Sequence, residues 1–170
     1  SEKTYEYTVN EVIPEGATAE NNYTVNGVTY DSKTVNVKVT VTYNKETGEL
    51  KAELAKDSEA IAFQNSYETK TSIGLEGTKS LSGRTLKDGE FTFEVKDKAG
   101  KVVATGSNKS DGSISFNNKL NYKLSDLEKA DGSYESEKTY EYTVNEVIPE
   151  GATAENNYTV NGVTYDSKTV

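Results

Sequence analysis

Three polar residues stand on strand faces that are otherwise apolar, and together they supply the reactants for an amide bond. In LEGTKSL the residues sharing a face are Leu75, Gly77, Lys79 and Leu81. In IAFQNSY they are Ile61, Phe63, Asn65 and Tyr67, and in YEYTVNEVI they are Tyr140, Tyr142, Val144, Glu146 and Ile148, with Glu11 in the same phase of an earlier copy. Period-two alternation sends such residues inward. Desolvation disfavours the charged form of an amine and of a carboxyl alike. An uncharged lysine amine is a nucleophile, an asparagine carboxamide is an acyl group, and a protonated glutamate can polarise that carbonyl and shuttle protons. The product is a Lys–Asn isopeptide bond formed with loss of ammonia, a covalent staple open to a protein without cysteine.

Each residue also has a plainer reading. Lys79 can snorkel from a strand end, Asn65 can cap a loop, and Glu146, close to Pro149, can be emerging into solvent. Phase at a single position separates these readings poorly. Three residue types, each the lone polar exception on a different strand, make coincidence less comfortable, and on pattern alone both readings stay open.

Composition removes most alternatives. The 170 residues carry 28 acidic and 19 basic side chains, a net charge of −9, with no Cys, His, Met or Trp. Zinc-finger, haem and iron–sulfur sites, thiol nucleophiles and a Ser-His-Asp triad are therefore excluded, and no cofactor or metal is expected. The acidic balance runs along the whole chain, which argues against nucleic acid, since phosphate contacts need clustered Lys and Arg. No apolar run approaches the ~18 residues of a membrane span, and Ser1 to Asn10 has neither the basic nor the apolar region of a secretion signal. The segment reads as part of something longer. The loops Asn108 to Ser113 and Asp131 to Glu137 lack the spacing of a calcium loop. No two carboxylates stand out as a glycosidase pair.

Ser1 to Val35 recurs without one change as Ser136 to Val170, a period of 135 residues. The chain thus holds one full unit of unique sequence plus a second copy of about a quarter of it, and one domain cannot use both copies. Alternation is clearest in Val35, Val37, Val39, Val41 and Tyr43, in Phe91, Phe93 and Val95, and in Leu50, Ala52 and Leu54. Turn signals fall between the runs at Asn26-Gly27, Asn44 to Gly48, Asp97 to Gly100 and Asp111-Gly112. Strands with one wet face and this spacing predict an all-β, antiparallel β-sandwich. At most one short helical turn is expected, within Lys119 to Ala130.

GTKSLSGRTLKDGEFTFEVKD, GSISF, YEYTVNEV, VTYDSKTVNVKVTVTYN and IAFQNSYETK together resemble the pilin isopeptide-linkage domain of Gram-positive surface proteins, the group that includes streptococcal major pilins. The resemblance spans essentially the whole 135-residue unit. It implies an immunoglobulin-like sandwich with a spontaneous Lys–Asn bond between its first and last strands, promoted by an acidic residue on a middle strand. By position the lysine falls on Lys79, the asparagine on Asn65 and the catalytic glutamate on Glu146 or Glu11, the residues already selected by phase. The order departs from the family, which runs lysine, glutamate, asparagine. Residues 1–70 read as the C-terminal portion of one repeat and 71–170 as the N-terminal portion of the next. Lys79 and Asn65 then meet either by closure of one chain as a circular permutant or, as slightly preferred, between molecules in a head-to-tail, strand-complemented polymer.

The leading functional expectation is mechanical: a stalk or spacer repeat of a surface adhesin or pilus-like protein, extracellular and anchored to the cell wall through regions outside this chain. Its partners would be adjacent identical repeats, with any host ligand held by other domains. Cross-linking is single-turnover, so the chain is not read as an enzyme. The alternative is a ligand-binding module recognising a host glycan or matrix protein through Tyr-rich surfaces such as Tyr23, Tyr30, Tyr134 and Tyr140, given 12 Tyr in the chain.

Overall fold

The period-two runs become strands where a neighbouring strand satisfies their backbone N–H and C=O groups. The computed structural model describes residues 1–170, and they divide into two compact units, Ser1–Thr69 and Lys70–Val170. The first holds β1 (Glu2–Asn10), β2 (Thr24–Val25), β3 (Val28–Thr29), β4 (Thr34–Asn44), β5 (Glu49–Leu54) and β6 (Ser66–Tyr67). These form two antiparallel sheets, β1-β4-β5 and β2-β3-β6. β2 and β3 are joined at Asn26 and Gly27, with φ of 51° and 84°, the pair of positive dihedrals that matches a hairpin turn to strand twist.

The second unit holds β7 (Lys70–Ile73), β8 (Thr92–Lys96), β9 (Val102–Asn108), β10 (Ile114–Phe116), β11 (Leu120–Lys123), β12 (Thr143–Glu146), β13 (Thr159–Val160) and β14 (Val163–Thr164). Its sheets are β10-β9-β8-β12, β11-β7 and β13-β14, all antiparallel. Phe91, Phe93, Val95, Ala104, Leu120 and Ala152 are buried and make its core, with Val95 fully enclosed. Phe91, Phe93 and Val95 share the inward face that alternation assigns them.

The fold is all-β, of the antiparallel sandwich class. Its helical content exceeds the single turn expected. The turn within 119–130 is a 3-10 turn at Leu124–Leu127, and each duplicated segment adds another, at Ala19–Asn21 and Ala154–Asn156. In both copies an Asn left-handed at the turn's end, Asn22 or Asn157, closes it, a conformation that Asn tolerates better than most residues.

Two strand expectations differ in the first unit. Leu50, Ala52 and Leu54 alternate with polar neighbours, but both faces of β5 are exposed. In IAFQNSY only Ser66–Tyr67 is a strand, and Ile61 and Tyr67 are 62% and 55% exposed. The buried apolar residues of the first unit are Ala17, Val35 and Val37, and β5, Ile61 and Tyr67 lie outside that core.

The duplicated sequence takes two conformations. Glu2–Asn10 is one nine-residue strand paired along its whole length with β4, as in Tyr5↔Val39 and Val9↔Val35. In the second copy only Thr143–Glu146 is a strand, paired with β8. The start of a β4 equivalent is present there: Val144 and Val170 exchange two backbone hydrogen bonds of 2.9 Å. Residues 137–142 have no such neighbour and are not strand.

Candidate functional site

The lysine lies in an extended segment that alternates as read: Leu75, Gly77, Lys79 and Leu81 are half-buried, while Glu76, Thr78, Ser80 and Ser82 are exposed. Two backbone bonds fix its register, Lys79 N–H to Gly112 O at 2.7 Å and Ile114 N–H to Gly77 O at 3.0 Å. β12 delivers Glu146 opposite Phe93. Lys79 Nζ donates to Glu146 Oε2 at 2.7 Å, and the two side chains are 13% and 4% exposed. Nζ also sits 4.6 Å from the centroid of the Phe91 ring, whose electron-rich face attracts a cation. The second carboxyl oxygen, Glu146 Oε1, is buried and has no hydrogen-bond partner. An unsatisfied buried acceptor is costly, and this one marks a place for a donor. It borders a groove of about 440 Å³ lined among others by Lys79, Phe93, Ile114, Phe116, Glu146 and Asp166.

Asn65 lies in the first unit, exposed rather than buried as its phase requires. Its carboxamide is nevertheless held on both sides. Asn65 Nδ2 donates to Glu11 Oε2 at 2.8 Å, and the Asp31 backbone N–H donates to Asn65 Oδ1 at 2.9 Å. The Asp31 side chain grips the same segment, since Gln64 N–H donates to its Oδ2 at 3.0 Å and Lys33 N–H to its Oδ1 at 3.1 Å. Those two N–H groups hold the Asp31 carboxyl below its ordinary range.

Identical residues therefore do complementary things. Glu11 binds the carboxamide and Glu146 binds the amine. The remaining differences between the copies trace the segment around Asn65. β3 pairs with β6, whereas its equivalent β14 has β13 as its only strand neighbour. A Cβ on Gly27 would lie 2.6 Å from Glu68 O and 2.8 Å from the Tyr67 ring, whereas one on Gly162 would meet nothing within 4 Å. Asp166, the equivalent of Asp31, receives the Lys168 N–H at 3.0 Å and lines the groove instead of gripping a strand. The second copy presents, open, the place that residues 64–68 fill on the first.

Other sequence candidates are engaged structurally. Asn108 is 2% exposed and binds Phe91 N–H, Lys87 O and Lys109 O. Asp111 accepts from both the backbone and the hydroxyl of Ser113. Tyr140 stacks on Tyr122 with centroids 4.9 Å apart, and the Tyr122 and Tyr142 hydroxyls share a 2.6 Å hydrogen bond. Tyr23 and Tyr30 are half-buried and linked by the bond from Tyr30 N–H to Tyr23 O. Tyr134 remains 45% exposed. Sequence reasoning missed Phe91 beneath the amine and Asp31 beside the carboxamide. Asp31 lies between strands, where alternation carries no signal.

These antiparallel β-domains present a buried lysine–glutamate pair in one unit and, in the other, a carboxamide held by the equivalent glutamate of the duplicated sequence. A family model described as the Spy0128-like isopeptide containing domain, FctA, matches residues 1–68 and 75–170, and the chain belongs to that family. FctA domains are structural rather than enzymatic, and they occur in the subunits of Gram-positive surface pili, which associate with neighbouring subunits. No curated protein and no solved structure matches the chain. No helix is long and apolar enough to cross a membrane.

Proposed function

We propose that this chain is a spacer repeat of a Gram-positive adhesin or pilus-like stalk, extracellular and anchored to the cell wall through other regions. In the completed repeat Lys79 and Asn65 are joined by an isopeptide bond promoted by Glu146 or its duplicate Glu11. The observation that carries this reading is the duplicated glutamate: the same position of the 35-residue repeat holds the amine in one copy, through Glu146, and the carboxamide in the other, through Glu11. A single carboxyl between both groups can relay every proton the reaction needs. One proton passes from the ammonium to the carboxylate, the neutral Nζ attacks Asn65 Cγ, the carboxyl then gives its proton to Nδ2, and the carboxylate so formed takes the surplus proton from Nζ. The Cγ–Nδ2 bond then breaks, releasing ammonia and leaving Nζ–Cγ as an amide.

Asn65 precedes Lys79 by 13 intervening residues, and the preferred partner is a second copy of the chain, whose residues 64–68 complete the open second unit head to tail. A bond between first and last strands of a repeat carries tension covalently instead of through sheet hydrogen bonds. The net charge of −9 keeps neighbouring rods apart.

Intact mass under denaturing conditions, with a denaturing gel, tests the reading. Covalent multimers lighter by ~17 Da per junction, one ammonia, are expected, and Asn65→Ala abolishes them. A monomer lighter by the same amount would mean closure within one chain. Only unmodified monomer would remove the cross-link.

A further inference from the structure

Two groups grip the Asn65 carboxamide from opposite sides, and only one of them is the glutamate. Glu11 Oε2 accepts from Nδ2, the nitrogen that leaves, while the oxygen points at the Asp31 backbone N–H. A donor on one side and an acceptor on the other fix the amide's orientation, because reversing it would set donor against donor and acceptor against acceptor. In this arrangement the glutamate carboxylate holds the leaving nitrogen. The carbonyl oxygen, where negative charge collects as Nζ adds to Cγ, has a different partner.

We propose that the backbone N–H of Asp31, or of its duplicate Asp166 when the second copy completes the repeat, is the oxyanion donor for isopeptide formation, and that the carboxylate of the same residue is a positioning group. The proposal rests on the cross-link reading above. When the Nζ–Cγ bond forms, the carbonyl electron pair moves onto Oδ1, and the N–H already lies 2.9 Å away to stabilise it. The pair returns as Cγ–Nδ2 breaks and ammonia departs with the proton supplied by the glutamate. The Asp31 carboxylate secures this alignment by taking the Gln64 N–H at 3.0 Å, one residue before the reacting side chain. One residue thus fixes the backbone that carries the carboxamide and the oxygen that must bear charge. Asp31 is no lone polar exception on an apolar strand, which is why alternation passes over it.

An α-hydroxy analogue of aspartate at position 31, at 166 or at both replaces the N–H by an ester oxygen and keeps the side chain. The readout is the rate of ammonia loss by denaturing mass spectrometry on the full chain. A slowing on the order of a hundredfold is expected in the doubly substituted chain, the size of effect seen when one oxyanion donor is removed. Slowing by a single substitution also identifies the working copy. An unchanged rate in the doubly substituted chain overturns the proposal. A parent chain that never loses ammonia overturns the cross-link reading itself, and this proposal with it. For the side chain, Asp→Asn at both positions keeps an acceptor for Gln64 N–H and is expected to react at near the parent rate, whereas Asp→Ala reacts at least tenfold slower. Equal rates for Asn and Ala would overturn the positioning role.

Discussion

Glu11 and Glu146 occupy the same position of an identical 35-residue sequence, and each holds one half of a reaction: Glu11 binds the Asn65 carboxamide at 2.8 Å and Glu146 binds the Lys79 amine at 2.7 Å. The copies differ only in what surrounds them. Each therefore serves as the other's control, and the contrasts between them lead to the following expectations.

Breaking the buried ion pair costs more than removing it. Lys79→Met leaves Glu146, 4% exposed, with neither an amine nor any partner for Oε1. A loss of about 3 kcal/mol is expected, in line with other buried charges stripped of a partner. Lys79→Met combined with Glu146→Leu restores most of it, because two apolar side chains leave no charge uncompensated. Urea unfolding of the three chains measures the difference.

Docking of a second molecule on the second copy requires the open space over Gly162. Gly162→Ala places a methyl where the Gly27 environment shows Glu68 O and Tyr67 to lie, so covalent multimers are suppressed. Gly132→Ala is the control, since its φ of 85° is close to the 82° of Gly162 and a Cβ there also meets nothing. Both variants share the backbone strain of about 1 kcal/mol for a left-handed non-glycine residue. An undiminished ladder from Gly162→Ala would count against docking on the second copy.

Acid loosens the grip on residues 64–68. The Asp31 carboxyl is held below its ordinary value of 3.8 by the N–H groups of Gln64 and Lys33. Its folded form favours the charged state, so its contribution is complete above about pH 4 and is lost as pH falls through the lowered folded value. Protease susceptibility at Gln64 to Glu68, measured against pH, is expected to rise on the acid side, and Asp31→Asn flattens that limb.

Alkali reports the aromatic cluster. Burial, followed by the hydrogen bond with Tyr142, pushes the Tyr122 hydroxyl up to about 12. A raised value means the neutral form is favoured in the fold, so its stabilisation is present below pH 10 and is lost as pH climbs towards 12. Ultraviolet titration should show one late tyrosine transition, absent in Tyr122→Phe.

Conformation follows the neighbour along the duplicated strand. Amide exchange is expected to protect those amides of residues 3–9 that bond to β4, about every second one along this edge strand, and to leave residues 138–142 unprotected. Appending the sequence Asn36–Asn44 after Val170 supplies the missing neighbour and should protect the second set as well. Failure to do so would mean that β4 is not what orders the first copy.

Alternation, turn chemistry and the exact repeat were enough to read an all-β antiparallel fold, to place Lys79 and Glu146 on the inward side of their segments, and to find the two copies of the glutamate. Those signals are local: a period of two says which side of a strand a residue faces whatever lies opposite. Local pattern is silent on whether anything does lie opposite. Leu50, Leu54 and Tyr67 are inward by phase and exposed in fact, and Asn65 is exposed although its phase is that of Phe63. The division of labour between Glu11 and Glu146, the orphaned Oε1, the pairing of Asp31 N–H with the carboxamide oxygen, and strand against coil in one 35-residue sequence were decided by tertiary structure alone. Backbone hydrogen bonds and burial need a second segment, and identical sequences met different ones.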